Sequence, residues 1–150
     1  MARFTSEQAH AYVEIQQLIN DWAHELDLHN GAHIDDLVTQ DCSYAVRGGM
    51  AQGRAAVVKF YADRLVQLGA TEAGVPIHRH ALHNLRAHFR SGHEASITFN
   101  LTYYTSVNNP KGTNQTDALL YADVRMDVRR DNDGQWRIAM FDSGPAFNRT

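Results

Sequence analysis

The chain has 150 residues, 43% of them hydrophobic and 21% charged, with a formal net charge of −3. That length suits one domain on one core, spanning residues 1–150. The slightly acidic balance lacks the basic footprint of a nucleic-acid binder, and no apolar run approaches the roughly 20 residues that span a bilayer.

Neither nucleic acid nor membrane is therefore an expected partner. The opening Met1-Ala2-Arg3-Phe4-Thr5 has no apolar stretch of the secretory kind. A lone Cys42 excludes an internal disulfide framework, so a cytoplasmic location is expected.

In chain order, Thr5-Ser6-Glu7-Gln8 has the form of a capping box, with Thr5 as the N-cap. Tyr12, Ile15, Ile19, Trp22 and Leu26 follow at helical spacing, predicting a helix over Glu7 to His29 with Gly31 as its stop. Asp27 falls on the inward row Ile19–Ala23–Asp27, where an apolar residue is expected. A short helix is predicted over His33 to Val38 and a strand over Cys42 to Arg47, closed by Gly48-Gly49. A second long helix runs from Arg54 to Gln67, with Val57, Phe60, Tyr61 and Leu65 on one face and Gly69 as terminator.

From Ile77 the period changes to two. Strands are predicted over Ile77–Phe89, Glu94–Ser106, Asp117–Arg129 and Gln135–Asp142, parted by turn signals at Ser91-Gly92, Asn108 to Gly112 and Asp131 to Gly134. Helices followed by an antiparallel meander indicate an α+β layer architecture. Strict alternation along Ile77–Phe89 places His78, His80, Leu82, Asn84, Arg86 and His88 on one face and Ile77, Leu85, Ala87 and Phe89 on the other. In the next strand Ile97, Phe99, Leu101 and Tyr103 oppose Thr98, Asn100, Thr102 and Tyr104.

Asp27 and His80 carry the chemistry. A carboxylate and an imidazole aimed into one core are costly unless they pair, and such a pair in a cavity is a common general base. Asp27 would orient the ring, fix its tautomer and stabilise the imidazolium formed when the ring takes a substrate proton. A developing oxyanion needs a donor, for which Tyr44, Tyr104 and Asn84 are candidates.

Other features read more simply. His78-x-His80-x-x-His83 invites a metal, but His83 has the opposite strand parity, so no metal is expected. Trp22, Phe60 and Trp136 read first as core aromatics, with Trp22 also a candidate pocket wall. Gly48-Gly49 and Gly53 lack the strand–GxGxxG–helix context of a nucleotide site. Cys42 reads as a buried, inert thiol.

The order helix–helix–strand–helix–long strands, with Asp27 ending the first helix and His80-Ala81-Leu82-His83-Asn84 on the next long strand, resembles the nuclear transport factor 2-like superfamily. The segments Ile15-Gln16 through Leu26-Asp27 and Asp133-Gly134-Gln135-Trp136-Arg137-Ile138 carry the same likeness. Within the superfamily the chain looks like the SnoaL-like branch, which includes scytalone dehydratase and hexachlorocyclohexane dehydrochlorinase.

The resemblance implies a cystatin-like α+β cone: a curved sheet wrapped around the N-terminal helices, with a central pocket. It implies Asp27 and His80 as a catalytic dyad and a homodimer or homotrimer packed through the outer sheet face. His80 and Asn84 would then point into the pocket while the alternate apolar face met a neighbour. Tyr44 lies near a family tyrosine, and Tyr121 and Asp123 approximate polar positions of a late strand. The expected function is a cofactor-independent, dehydratase-like lyase acting on a small hydrophobic cyclic or aromatic carbonyl compound. Alternatives are a non-catalytic ligand-binding or scaffold protein, or an isomerase, cyclase or epoxide hydrolase in the same pocket. The epoxide hydrolase would need further charged partners such as Asp123 and Arg125. The tail Phe141 to Phe147 is a candidate cap over the pocket.

Overall fold

The computed structural model describes residues 4–46, 49–68, 76–106 and 118–148. The first helix, α1 (Ser6–His29), opens on the expected capping box: the Gln8 amide donates to Thr5 Oγ1 at 3.2 Å and the Thr5 amide to Gln8 Oε1 at 3.0 Å. Its buried stripe, Ala11, Ile15, Leu18, Ile19, Trp22, Ala23, Glu25 and Leu26, keeps helical spacing to the last turn. The helix ends with Asn30 and Gly31 both at positive φ (54° and 80°), their amides returning to the Glu25 carbonyl. Gly31 is also a close approach, because a Cβ there would lie 2.6 Å from Tyr61 Cγ.

The second helix expected over His33 to Val38 is only a 3₁₀ turn, Ile34–Asp36. Val38 already belongs to a strand, β1 (Val38–Val46), which begins four residues before the predicted start and leaves no room for the helix. A short strand not foreseen from the sequence, β2 (Gly49–Gln52), pairs back on β1. Helix α2 (Arg54–Leu68) follows, and Arg54 ties its start to the Val38 carbonyl through two N–H donors at 2.9 and 3.2 Å. Four long strands complete the fold: β3 (His78–Phe89), β4 (Glu94–Thr105), β5 (Leu120–Arg130) and β6 (Trp136–Asn148). Gly48, Gly69, the turn at 108–112 and the predicted start at Asp117 lie outside the described residues.

The six strands form one mixed, unclosed sheet in the order β2-β1-β6-β5-β4-β3, with only the β1–β6 pair parallel. The chain is thus an α+β cone of cystatin-like form. The inner face carries Tyr44 and Phe141, Ala122, Val124, Met126 and Val128, and Ala95, Ile97, Phe99, Leu101 and Tyr103, all buried against the helices. The C-terminal tail does not cap the pocket. It continues β6, paired with β5 out to Leu120–Asn148, and Phe147 is 73% exposed. Among the described residues, no helix is long and apolar enough to cross a membrane.

Strand β3 departs from strict alternation. Its register against β4 shifts by one residue between His83 and Arg86, and Asn84 there takes φ 57°. This bulge moves the side chains that follow to the other parity. His78, His80 and Leu82 before it, and Leu85, Ala87 and Phe89 after it, therefore all lie on the inner side, opposite inner-face residues of β4. The expectation that Leu85, Ala87 and Phe89 form an outward apolar face in need of a neighbour is corrected accordingly.

Candidate active site

Helical spacing from Ile19 and Ala23 carries Asp27 to the inner side of α1, and the pleat of β3 carries His80 to meet it. Asp27 Oδ1 lies 2.5 Å from His80 Nδ1, while Oδ2 accepts the His80 backbone N–H at 2.9 Å. Both side chains are nearly out of solvent, at 11% and 8% exposure. One carboxylate therefore grips both the ring and the main chain of the same histidine. This arrangement makes Nδ1 the protonated nitrogen of the neutral ring, a tautomer assigned from its partner. His80 Nε2 has no hydrogen bond among the described residues and is left as the proton acceptor.

Aromatic rings hold the imidazole in place. Trp22 lies 5.7 Å from it and Tyr103, directly across the β3–β4 pair, 4.8 Å. Trp22 Nε1 donates to the Tyr44 hydroxyl at 2.8 Å, and Tyr44 in turn lies 2.6 Å from the Tyr61 hydroxyl. Burial pushes the Tyr44 phenol well above its ordinary value and that of Tyr61 to about 12, so both remain neutral. Tyr44 also stacks on Phe141 at 4.4 Å. Its oxygen is thus engaged on both sides, by Trp22 and by Tyr61.

A second cluster adjoins the pair. The Tyr103 hydroxyl accepts an N–H from Arg64 of α2 at 3.1 Å and lies 2.5 Å from His78 Nδ1. Burial, reinforced by the Arg64 charge, lowers the His78 pKa to about 4, so this ring is neutral. Its Nε2 is buried with no partner among the described residues. Between the clusters opens a small pocket lined by Leu26, Tyr61, Arg64, Leu65, His78 and His80, with a cavity volume of about 10 Å³. That holds about one water molecule, so a ring-bearing ligand enters only when lining side chains move aside.

The structure gathers Asp27, His80, Trp22 and Tyr44 into this region and places the other sequence candidates elsewhere. Asn84 sits at the bulge, where its amide donates to Asn100 Oδ1 at 3.1 Å, and the Asn100 amide donates to Asp123 at 2.7 Å. Tyr104 pairs with Arg79, Tyr121 with Thr102 and Asp123 with Asn100, all on the outer sheet face. Asp123 and Arg125 share that outer face, away from the pair. The reason is parity: the bulge turns Asn84 outward, and Tyr104 is one residue out of phase with Ile97–Phe99–Leu101.

Residues missed from the sequence had signals of their own. Tyr103 continues the inward β4 row, and Arg64 lies one helical step from Tyr61 on the buried side of α2. His78 shares parity with His80. Among the described residues, no group of three or more His, Cys, Asp or Glu side chains is placed to hold a metal ion.

Residues 7–142 match the family model for the SnoaL-like domain. No curated protein sequence matches the chain. Among solved structures, a candidate scytalone dehydratase from Novosphingobium aromaticivorans is similar with a TM-score of 0.77 at 18% identity, covering 97% of this chain and 91% of that one. Hexachlorocyclohexane dehydrochlorinase LinA-type3 from Novosphingobium barchaimii has a TM-score of 0.74 at 14% identity, over 95% and 91%. A Catenulispora acidiphila protein in complex with S-DNPA has a TM-score of 0.74 at 20% identity, over 91% and 94%. At these identities the likeness is one of fold.

Proposed function

Because this chain belongs to the SnoaL-like domain family, within the nuclear transport factor 2-like superfamily, we propose that it is a cofactor-independent lyase in which His80, oriented by Asp27, removes an acidic proton from a small cyclic or aromatic carbonyl compound. The observation that carries this reading is the two-point grip of Asp27 on His80, at 2.5 Å to the ring and 2.9 Å to the backbone, beside a pocket that His80 itself lines. Similarity of fold to a candidate dehydratase and a dehydrochlorinase supports the same reaction class.

The chemistry follows from the assigned tautomer. His80 Nε2 takes the proton from the carbon next to the carbonyl, and its C–H electrons move into an enolate. The ring becomes an imidazolium, which the buried Asp27 carboxylate stabilises without itself being protonated. Collapse of the enolate expels a β-hydroxyl, which leaves as water with the proton returned from Nε2. General-base assistance of this kind supplies about 10²–10⁴-fold. The apolar side chains Leu26 and Leu65 in the lining favour an apolar body on the ligand.

Proton abstraction can be assayed without knowing the natural substrate. 2-Tetralone incubated in D₂O with the protein should exchange its α-protons faster than in buffer, as followed by proton NMR. His80→Asn should lose the enhancement. Exchange equally fast in that variant would remove His80 from the role of base.

A further inference from the structure

A base that makes an enolate needs a partner for the oxygen, and the donors expected from the sequence do not provide one. Tyr44 is occupied by Trp22 and Tyr61, while Asn84 and Tyr104 face the other side of the sheet. The pocket nevertheless contains a fixed positive charge. Arg64 lines it, and among the described residues its guanidinium forms no ion pair. Among those residues its side-chain hydrogen bond is to the Tyr103 hydroxyl, over whose ring the guanidinium carbon also lies at 6.0 Å.

A guanidinium offers five N–H donors in a planar fork, so one bond to Tyr103 leaves most of that capacity unused. The neighbouring groups are arranged to hold Arg64 without neutralising it. Tyr103 receives the Arg64 N–H on its oxygen and shares a second hydrogen bond with His78 Nδ1, 2.5 Å away. His78 Nε2 is buried without a partner among the described residues. The charged groups around this cluster are Arg64, the exposed Arg79 and the Asp27 carboxylate, and Asp27 is already committed to His80. The Tyr103 ring touches both sides: its centre lies 4.8 Å from the His80 ring and 6.0 Å from the Arg64 guanidinium carbon. His80 and Arg64 also line the same small pocket, so a ligand that displaces its lining side chains meets the base and the cation together.

We propose that Arg64, held by the Tyr103–His78 pair, is the docking group for an ionised ring oxygen, so that the pocket selects enolisable cyclic ketones and phenols and binds them through their enolate or phenolate form. This rests on reading the pocket as the substrate site and adds the feature that chooses the ligand. A charge-assisted hydrogen bond in such a place favours the ionised ligand by about 10- to 100-fold.

The test uses 4-nitrophenol, whose neutral and ionised forms absorb at different wavelengths, so the bound form is read directly by difference spectroscopy. The wild-type protein should bind the phenolate in preference to the phenol by about 10- to 100-fold. Arg64→Met should lose that preference, and Arg64→Lys should retain the larger part of it. His80→Asn should also retain it, which separates this inference from the assignment of the base: a wild-type protein that prefers the phenolate but does not speed α-proton exchange would count against the lyase and leave the anion subsite standing. No binding of nitrophenolate by the wild type, or an unchanged preference in Arg64→Met, overturns the proposal. If Arg64→Met does not fold, Arg64→Gln takes its place, and an unchanged preference in that variant overturns the proposal.

Discussion

Replacing Asp27 by Asn probes the site with the least change of shape. The carboxylate accepts two hydrogen bonds from one residue, the His80 ring N–H at 2.5 Å and the His80 backbone N–H at 2.9 Å. An amide has one oxygen and one NH₂, so it can accept only one of them and presents a donor to the other. If the oxygen stays on the backbone, the NH₂ faces Nδ1 and the imidazole must move its proton to Nε2, which silences the base. The pair is almost entirely buried, so solvent does not make up the loss. A charge-assisted hydrogen bond contributes about 1.5–3 kcal/mol, and for a chain of this size each kcal/mol is worth about 2–4 °C in Tm. Asp27→Asn should therefore melt roughly 3–12 °C lower. The ¹⁵N signals of the His80 ring should switch from the Nδ1–H to the Nε2–H pattern. An unchanged tautomer together with an unchanged Tm would refute the claim that Asp27 fixes the orientation and protonation of His80.

Two further expectations concern stability alone. Gly31→Ala must hold φ near 80° and set its Cβ 2.6 Å from the Tyr61 ring carbon, costing about 2–5 kcal/mol in urea unfolding, whereas Gly134→Ala, at a similar φ of 82° with nothing within 4 Å, should cost only about 1–2. Equal losses at the two glycines would show that the Tyr61 contact is unimportant. His78 gives an acid dependence: the unfolded chain takes up its proton near pH 6.5 and the folded one only near 4, so the unfolded state binds more protons in between and stability falls as pH drops through that window. Roughly 2 kcal/mol of this contribution should be gone by pH 5, and His78→Gln should flatten the fall; identical slopes in the two proteins would exclude a buried neutral His78.

Much of the architecture is legible in the linear chain because it depends on short-range periodicity. The capping box at Thr5–Gln8, the inward row ending in Asp27, the two long helices and four long strands all follow from spacing and turn chemistry. The meeting of Asp27 with His80 was foreseeable for a related reason, since each occupies an inward position of a regular element. The failures cluster where one residue breaks the period. Alternation read straight through Asn84 puts the wrong half of β3 outside, and Asn84 itself in the pocket, because an inserted residue shifts every later side chain to the opposite face. The short strand β2 and the reach of β6 through Asn148 depend on partners that a local pattern does not contain.

By itself, then, the amino-acid order determined the elements, their buried faces and the two residues whose polarity is out of place on those faces. Only the tertiary structure decided what surrounds that pair: that Tyr103 and not Tyr104 lies against His80, that Tyr44 is already bonded on both sides, and that Arg64 enters the same pocket carrying its charge. The physical reason is that periodicity along one segment says which way a side chain faces. Which other segment it meets depends on strand order, bulge position and helix packing, all set by contacts between residues far apart in the chain.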